Sequence, residues 1–592
     1  MSGVLRDYQD VSTTNSAPTA YSNHKEQALD DNFIQNNPKS KCPNPFLDSK
    51  QGEYWLQRYS SSKYENIIYY DPTLKWTAKE EKKLLNKLNL TIMVVLSFMW
   101  LGFFINKSNF QDAVRAGMPY DIDMNIYVYN GSTSISNFKP ERSTTRGSSY
   151  LSSAYVGEAL TVSSDTTTVE YIERATQIIF AIPSVLVAKK IGPDIWLPIL
   201  LCVYCALGCW QAAFNQTSVA MGIKGAMGAV GAGFIPSTVL YLSYFFTADQ
   251  LAMRLACLWI FRTLAEIITG YLIYACIRIE YAPKYVMDGW RFAFMIEGVV
   301  TFVGALICSF FLPRCLSKKQ KWQPEILTER EKEIQINSIL RDDPSKGVTN
   351  NTSIGGAKEV VKSLLDFDLY PLYAIGLVAL IPYSCYEVYL LFVIKQWIFF
   401  HQSIAQYSLR TIWRIILIIF ITPVTKISEV LNERSLVCLV FFGIWQIPLT
   451  AVMTWWEKSI SDYWGSYPVV ILALGAPNII AILQSWVSRN SGSNTKRAIS
   501  SALFMMFFDA GYMISKNVYK FHQLPRLREG SLYNFIIILI LCVLLVATKG
   551  YYIIRNKMKL RNWENLNESD QDNYLAKNGW LGNRTSFFQY SH

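Results

Sequence analysis

Charged side chains are scarce in this sequence. Asp, Glu, Lys and Arg make up 17% of the 592 residues, whereas a soluble domain typically carries about 25%. Hydrophobic residues make up 51%, and apolar runs of about 20 residues, the length that spans a bilayer as a helix, recur along the chain. The runs are continuous rather than alternating, which excludes a transmembrane β-barrel. The composition therefore predicts an all-α membrane protein.

The sequence also lacks the motifs of enzymes and metal sites. It has only four histidines, and no Cys/His spacing suits zinc. Walker loops, G-x-S-x-G and H-E-x-x-H motifs are absent. Most of the eleven cysteines lie in apolar runs, where a thiol usually behaves as a small hydrophobe. We therefore expect a protein that is not an enzyme and has neither a cofactor nor a metal, and the net charge of +11 does not predict nucleic-acid binding.

Twelve apolar runs are candidate membrane-spanning helices. Six precede and six follow a basic central loop. Two six-helix halves around such a loop are the layout of the major facilitator fold, in which the substrate binds near the midplane between the halves. The twelve runs cover residues 88–112, 169–188, 195–214, 219–246, 255–277, 290–312, 371–394, 408–427, 435–455, 466–487, 497–519 and 532–554.

The polar segments complete the predicted domain organisation. The first 75 residues are rich in Asn, Ser, Asp and Gln and show no helical period, which predicts a mostly disordered tail. Thr77 with Glu80, and Thr328 at the start of "LTEREKEIQINSILRDDPSKG", indicate two capped helices. The predicted units are a tail at 1–75, a half at 76–312 with a long loop near 113–168, a central loop at 313–370, a half at 371–555 and a tail at 556–592.

Lys and Arg predict the orientation. Both tails, the central loop and the short loops "AKKIGPD" and "SRNSGSNTKR" are basic, so we expect them in the cytoplasm. The long loop at 113–168 then lies outside the cell. Asn130 is an N-x-Ser acceptor in that loop and is predicted to be glycosylated.

Several segments together resemble a known family. They are "WTAKEEKKLLNKLNLTIM", "KKIGPDIWLP", "GAGFIPSTVLYLSYFF", "GWRFAFMIEG", "LTEREKEIQINSILRDDPSKG", "LNERSLV", "WVSRNSGSNTKRAISSALFMMFFDAG" and "ATKGYYIIRNKMKLRNW". On these segments the chain resembles the fungal allantoate permeases, a family of anion:cation symporters within the major facilitator superfamily. Within it, the branch associated with sulfur-containing anions is nearest. The resemblance implies a plasma-membrane importer of small anions that is driven by protons.

The chain departs from the family pattern at charged positions. Where family members usually carry Arg, Gly and Glu in the fourth span, this chain has Lys224, Gly228 and Gly231. Near the end of the first span, the family's Asp-Arg-x-Asn corresponds to Asn106, Lys107, Ser108 and Asn109. The cations are kept as lysines, and the acidic residues are lost.

Four residues are candidates for substrate binding. The resemblance implies that Lys224 and Lys107 attract the anion, with Asn109 as a hydrogen-bonding neighbour. Arg414 is an intramembrane charge that the family pattern does not predict, and such charges are functional by default. For Lys224, which we place near the outer end of its span, the alternatives are snorkelling toward the headgroups and helix packing through the neighbouring glycines.

Three carboxylates are candidates for proton coupling. Asp509 and Glu387 lie in spans where a buried carboxyl responds oppositely to desolvation and to a nearby cation. The alternative for Glu387 is a charge pair with Arg414. Glu266 is four residues after Arg262 on one helix face, so these two either pair structurally or act in transport.

Other charged residues have predicted structural roles. Glu297 begins a span and is expected to form structural hydrogen bonds. In "AKKIGPD", which corresponds to the superfamily's gating loop, Lys189, Lys190 and Asp194 are expected to hold the inward-closed state by charge pairing.

The leading hypothesis is a monomeric, twelve-span, proton-coupled importer of a small anion that works by alternating access. The missing acidic residues leave an alternative, namely an uncoupled facilitator, an exchanger or a nutrient sensor that does not transport. A membrane enzyme is a third class, and no nucleophile–base or metal constellation supports it. Sulfonate, sulfate, a thiol amino acid, allantoate, a small peptide and a vitamin carboxylate would all suit one buried cation.

Overall fold

The computed structural model of the protein describes most of the chain. The described residues are 46, 49–61, 64, 66–115, 118–122, 124, 126–129, 135–138, 160–280, 288–313, 327–347, 357–397, 404–457, 462–519, 527–567, 583, 585 and 588–592. Asn130, the predicted glycosylation site, lies outside these residues.

Helices dominate the described chain. They are α1 Ser49–Ser61, α2 Ala78–Leu88, α3 Val94–Arg115, α4 Met118–Asp121, α5 Ser164–Ile191, α6 Pro193–Trp210, α7 Thr217–Gly231, α8 Phe234–Phe245, α9 Ala248–Glu280, α10 Gly289–Phe311, α11 Glu329–Asp342, α12 Ala357–Leu364, α13 Tyr370–Trp397, α14 Ile404–Leu431, α15 Ser435–Cys438, α16 Trp445–Trp455, α17 Tyr463–Leu474, α18 Ile480–Asn490, α19 Asn494–Ser515 and α20 Arg528–Glu564. Short π-helical turns, Asn89–Met93 and Leu439–Ile444, continue α2 into α3 and α15 into α16.

All twelve predicted spans correspond to helices. Nine helical stretches in the described part of the chain are long and apolar enough to cross a membrane. Helices α9 and α14 cover two further predicted spans, and the span predicted at 466–487 is divided between α17 and α18. The span predicted at 219–246 is likewise two helices, α7 and α8, separated by a turn at Ala232 and Gly233.

The predicted capping box at Thr77 and the predicted helix start at Thr328 are both confirmed. The Thr77 side chain accepts a hydrogen bond from the Glu80 amide, and the Glu80 carboxylate accepts one from the Thr77 amide. Thr328 and Glu331 form the same reciprocal pair at the start of α11. Each box satisfies two amides that a helix start leaves unpaired, so the local sequence alone fixes where α2 and α11 begin.

The long loop between α3 and α5 contains a small antiparallel sheet. Strands β1 (Ile126–Tyr129), β2 (Ile135–Phe138) and β3 (Leu160–Ser163) pair in the order β2–β1–β3, with Ile126 opposite Phe138 and Ser163. β3 runs directly into α5. We call this end of the helix bundle the sheet face.

The opposite end of the bundle, which we call the tail face, carries the N-terminal segment. Residues 1–75 are predicted to be mostly disordered, but within them α1 is helical and its Trp55 and Tyr59 are buried. They pack on Ile336 and Leu340 of α11. The polar composition of this segment predicts disorder because it gives little weight to a few aromatic residues. Those residues supply the apolar area that a folded segment needs.

The last residues of the chain also pack on the tail face. Trp486 Nε1 donates to the carbonyl oxygen of Ser591 at 2.7 Å, and Tyr590 Oη donates to Asp368 Oδ2 at 2.7 Å. Tyr590 is 2% exposed. These contacts tie the C-terminal end to α18 and to the start of α13.

The N-terminal and C-terminal halves contact each other near both ends of the bundle. Toward the tail face, Ala498 and Ala502 of α19 pack on Ala181 and Val185 of α5 and on Leu240 of α8, and we call these five residues the inner seam. Toward the sheet face, α19 contacts α5 again, and α14 contacts α9. The described helices therefore enclose the centre of the bundle from both ends.

Candidate functional site

Helix α5 supplies charges that sequence reasoning missed. Glu170, Glu173 and Arg174 lie in its first half and face neighbouring helices rather than water. The signal was present in "VEYIERATQ", because charges three and four residues apart lie on one face of a predicted span. Intramembrane charges of this kind face the bundle interior and mark functional sites.

Lys224 is completely buried, with 0% of its side chain exposed. Its Nζ lies 3.6 Å from Glu173 Oε2 and 4.9 Å from the centre of the Phe110 ring. This position excludes snorkelling, because the ammonium points into the protein. The small residues of α7 permit the approach: a Cβ at Gly225 would lie 3.2 Å from Ile172 of α5.

Lys107 is half-buried on α3 and has a neutral partner. Its Nζ donates to Gln177 Oε1 at 3.4 Å and lies 5.6 Å from the Phe103 ring centre. Among the described residues, no carboxylate oxygen lies within 4.0 Å of this nitrogen. Lys107 is therefore a cation inside the bundle without a direct ion pair.

The structure does not place Asn109 beside Lys107. Residues two apart on a helix lie on nearly opposite faces. Asn109 instead faces Glu297 of α10, inside the N-terminal half, and both side chains are at least 97% buried. Asn106, one turn earlier, donates to Thr301 Oγ1 of α10 at 2.7 Å.

Asp509 of α19 and Lys516, which directly follows α19, both pair with residues of α5. Arg174 Nη1 donates to Asp509 Oδ1 at 2.7 Å, and Lys516 Nζ lies 2.9 Å from Glu170 Oε2. Tyr512 lies between the two pairs, with the Arg174 guanidinium 4.3 Å from its ring centre. These contacts join the N-terminal half to the C-terminal half near the sheet face.

A second charged cluster joins α9 to α14. Glu266 accepts from Arg262 Nε at 3.1 Å and from Arg414 Nε at 3.2 Å. Arg262 and Glu266 thus make the contact that their spacing suggests, and Arg414 adds a bond between the halves. The carboxylate bonded to Arg414 is Glu266 rather than Glu387. Glu387 is partly buried, and no Lys or Arg nitrogen of the described residues lies within 4.0 Å of it.

Aromatic side chains line the bundle centre between these clusters. Trp259 of α9 lies 5.6 Å from Trp100 and 6.5 Å from Phe508 across the two halves, measured between ring centres. The Arg262 guanidinium is 4.9 Å from the Trp259 ring centre, and the indole nitrogen donates to Gln484 Oε1 at 3.1 Å. These aromatic residues and Gln484 were also missed, because a lone aromatic in a span usually indicates lipid contact.

The gating loop lies on the tail face. Lys189 is fully buried and donates to Tyr244 Oη at 3.2 Å, while Lys190 is exposed. Gly192 has a φ of 108°, and a Cβ at this position would lie 2.6 Å from Asp194 Oδ1. A glycine is therefore required at the turn between α5 and α6. The predicted charge pairing of these residues in gating stays a prediction.

No metal site is visible in the part of the chain that the structure describes, where no group of three or more His, Cys, Asp or Glu side chains could hold an ion. The polar chemistry of the centre is that of ammonium, guanidinium, carboxylate and amide groups. Ammonium and guanidinium groups bind anions, amide groups form hydrogen bonds, and carboxylate and ammonium groups can also exchange protons.

Comparison with known proteins gives the family. The model of the Major Facilitator Superfamily matches residues 147–515, more than half of the chain. The sequence is 29% identical over 570 residues to the uncharacterized transporter YIL166C of Saccharomyces cerevisiae, covering 94% of this chain and 96% of that protein. It is 22% identical over 560 residues to the MFS-type transporter cnsO of Penicillium expansum, covering 90% and 94%.

Among solved structures, the human organic anion transporter MFSD10 aligns with a TM-score of 0.48 and 12% identity, over 77% of this chain and 99% of that one. The sequence match to the family model and the twelve helical spans in two halves agree with each other. The chain therefore belongs to the Major Facilitator Superfamily, a family of multi-pass membrane transporters.

Proposed function

We propose that this transporter imports a small organic or inorganic anion, coupled to protons, by alternating access. The observation that carries the proposal is Lys107, a half-buried ammonium at the centre of the bundle that donates to a neutral amide, Gln177. Burying a cation without a counter-ion is costly. An anionic substrate would supply the missing charge.

Lys224 has a different part in this proposal. Its charge is offset by Glu173, so in this conformation it attracts an anion less strongly than Lys107. The two ammonium groups contact α5 one helical turn apart. Lys224 lies beside Glu173, and Lys107 lies beside Gln177. An anion held by Lys107 therefore lies one helical turn from the Lys224 pair.

The contacts between the halves support alternating access. The ion pairs of α5 with α19, and of α9 with α14, hold the sheet face closed, and the inner seam holds the tail face closed. A substrate can leave toward one side only when one of these sets separates. Rocking of two halves about a central site is how such folds work.

Proton coupling requires a carboxyl group that changes its protonation state during the cycle. Asp509 and Glu266 each accept from a guanidinium within 3.2 Å, so each carboxylate already has a cationic partner in this conformation. Glu387 has no such partner among the described residues and is the freest of the three candidates.

An uncoupled facilitator, an exchanger or a sensor is the second candidate. It is favoured by Gly231, which occupies the position of the acidic residue in the allantoate permease pattern. A Cβ at this position would lie 2.9 Å from Tyr204 and 3.3 Å from Phe103, so α7 has no room for a carboxylate there. Counterflow without proton movement would identify a facilitator or exchanger, and signalling without uptake would identify a sensor.

The same proposal places the transporter in the plasma membrane with the tail face in the cytoplasm. The basic loops support this orientation. Digestion with an endoglycosidase tests it, because Asn130 can carry a glycan only if the loop before α5 lies outside. A shift in mobility that Asn130→Gln abolishes is the expected result, and protease cleavage of that loop from the cytoplasmic side contradicts it.

Uptake of radiolabelled anions in fungal cells without related permeases tests the function. The panel comprises sulfonates, sulfate, allantoate and small carboxylates at pH 5 and pH 7. We expect one class to enter faster at pH 5, and Lys107→Ala to reduce its uptake about 10- to 100-fold, the effect of losing a hydrogen bond to a charged group. Lys107→Arg keeps the charge, and Lys557→Ala removes an exposed lysine as the matched control. Equal uptake by Lys107→Ala and Lys557→Ala would contradict the proposal.

A further inference from the structure

We propose that Glu173 is the carboxyl group that couples the proton to the anion, through its pair with Lys224. The inference rests on the proposed anion transport and adds to it the residue where the proton binds. It also gives the buried Lys224 a function that a permanent ion pair would not have.

The Lys224–Glu173 pair is buried, but its charged atoms lie farther apart than in a hydrogen-bonded ion pair. The side chains of Lys224 and Glu173 are 0% and 8% exposed, and their nearest nitrogen and oxygen are 3.6 Å apart. Charge-assisted bonds of this type usually measure about 2.7–2.9 Å. Neither Lys224 Nζ nor Glu173 Oε1 has a hydrogen-bond partner among the described residues. The two charges therefore attract each other without the hydrogen bonds that normally offset burial.

The charges balance when one proton and one monovalent anion enter together. In the empty state, the ammonium and the carboxylate sum to zero. A proton added to a Glu173 oxygen makes that group neutral and leaves Lys224 with an uncompensated positive charge. The anion then takes the place of the carboxylate beside Lys224, so this pair is again neutral, and Lys107 adds the same single positive charge before and after loading. When the anion leaves, the carboxyl proton is released and the original pair forms again.

Lys224 is the cation that loses its partner when Glu173 is protonated, because the other charged groups near Glu173 are paired elsewhere or lie one turn away. Lys107 of α3 and Tyr204 of α6 also face Glu173. Arg174, the next residue on α5, is held by Asp509 of α19 at 2.7 Å. Glu170, which also faces Lys224, is held by Lys516 at 2.9 Å. Lys107 lies one turn away, where it can share the incoming anion.

The position of Glu173 also accounts for the missing acidic residue of α7. The packing around Gly231 leaves no space for a side chain. Helix α5 crosses α7 closely enough to place a carboxylate next to Lys224 from the other side. The lysine thus has an acidic neighbour even though its own helix lacks one.

Uptake by wild type, Glu173→Gln and Glu173→Asp at pH 5 and pH 7 tests the assignment. Glu173→Gln should still exchange the labelled anion across the membrane in counterflow. Its ratio of uptake at pH 5 to uptake at pH 7 should fall to about one, because an amide takes up no proton in this range. Glu173→Asp should keep a pH-dependent ratio. Glu564→Gln, which changes an exposed carboxylate on α20, is the matched control.

The outcomes separate this inference from the proposed function. If wild-type uptake depends on pH and Glu173→Gln preserves that dependence, the assignment is wrong and anion transport stands. If Glu387→Gln alone removes the dependence, Glu387 is the coupling group instead. If no anion enters wild-type cells that carry the protein on their surface, the proposed function itself fails.

A second variant covers the case in which Glu173→Gln does not reach the membrane because Lys224 is left unpaired. The double variant Glu173→Gln with Lys224→Gln buries no charge, so we expect it to fold. It should lose both anion uptake and proton movement, the latter measured with a pH-sensitive dye inside proteoliposomes. Proton-coupled uptake at the wild-type rate by this double variant overturns the assignment.

Discussion

Replacement of Arg497 by methionine should open the tail face of the transporter. Arg497 of α19 is 2% exposed and donates through Nη2 to Asp343 Oδ2 at 2.8 Å. We call residues 342–347 the brace. The brace is also bonded to the N-terminal half, since Asp342 accepts from the Ala248 amide at 2.9 Å and Lys346 donates to the Phe246 carbonyl at 3.2 Å. The Arg497–Asp343 bond therefore connects the two halves.

The size of the effect follows from the burial of this pair. Removing one partner of a fully buried ion pair costs about 3–5 kcal/mol. The Asp343 side chain is 22% exposed, and Lys346 also faces it, so we reduce the cost to about 2 kcal/mol. The cost falls on the closed arrangement, because opening exposes the carboxylate to water. The population open toward the tail face should therefore rise roughly 30-fold.

A cysteine in the inner seam measures this opening. Ser501 of α19 lies between Ala498 and Ala502 and is 6% exposed. With Ser501→Cys as the parent, the labelling rate of that peptide by N-ethylmaleimide is measured by mass spectrometry. Adding Arg497→Met should raise the rate by roughly the 30-fold change in open population.

Lys496→Met is the control for this prediction. Lys496 pairs at 3.3 Å with Asp366, which lies just before α13 of the C-terminal half. Its loss should lower stability without changing the labelling rate of Cys at position 501. An unchanged rate in Arg497→Met, or an equal rise in both variants, would refute the role of the brace in holding the halves together.

Three further predictions concern the pH response of the brace, the packing of α10 and the stoichiometry of transport. Burial raises the pKa of the Asp343 carboxyl, but Arg497 and Lys346 lower it more, so its pKa lies below the usual value. The brace therefore loses stability only as the pH falls through that lowered pKa. Because the thiolate is the reacting form, the labelling rate of the Ser501→Cys parent is divided by that of a free thiol at the same pH; this ratio should be constant between pH 6 and pH 8, and a rise toward pH 6 would contradict the prediction. Gly298→Ala places a Cβ 2.6 Å from the Cys209 amide nitrogen, which should cost about 1–3 kcal/mol and lower the melting temperature, whereas Gly304→Ala on the same helix meets no atom within 4 Å and should leave it unchanged. Coupling of one proton to one monovalent anion moves no net charge, so a potassium diffusion potential of either sign should leave initial uptake into proteoliposomes unchanged, and a rate that follows the potential contradicts that stoichiometry.

The sequence predicted those features that depend on local patterns. Apolar run length located all twelve spans, and the Thr77 and Thr328 boxes located two helix starts, because each signal lies within a few residues of the chain. The boundaries of the predicted fourth and tenth spans missed their internal breaks. A break costs little when neighbouring helices pack around it, and hydropathy does not record that packing.

Local sequence patterns did not reveal which charged residues of different helices pair with each other. Lys224 was recognised, but its partner Glu173 lies on another helix, and the partner of Asp509 is 335 residues away along the chain. Periodicity shows which residues share a face of one helix. It does not show which helix covers that face, so the pairing of α5 with α7 and α19 required the structure.

Helices α9 and α14 have a consequence for synthesis of the protein. An arginine at the centre of a lone helix costs about 3 kcal/mol during insertion, and Glu266 and Arg414 satisfy each other only when both helices are in the membrane. They are 148 residues apart, so at normal rates of translation the first waits roughly 7–30 s for the second. During that interval, α9 depends on the translocation machinery or on its own Arg262. Variants that weaken this pair should therefore be degraded at the endoplasmic reticulum before they are ever tested as transporters.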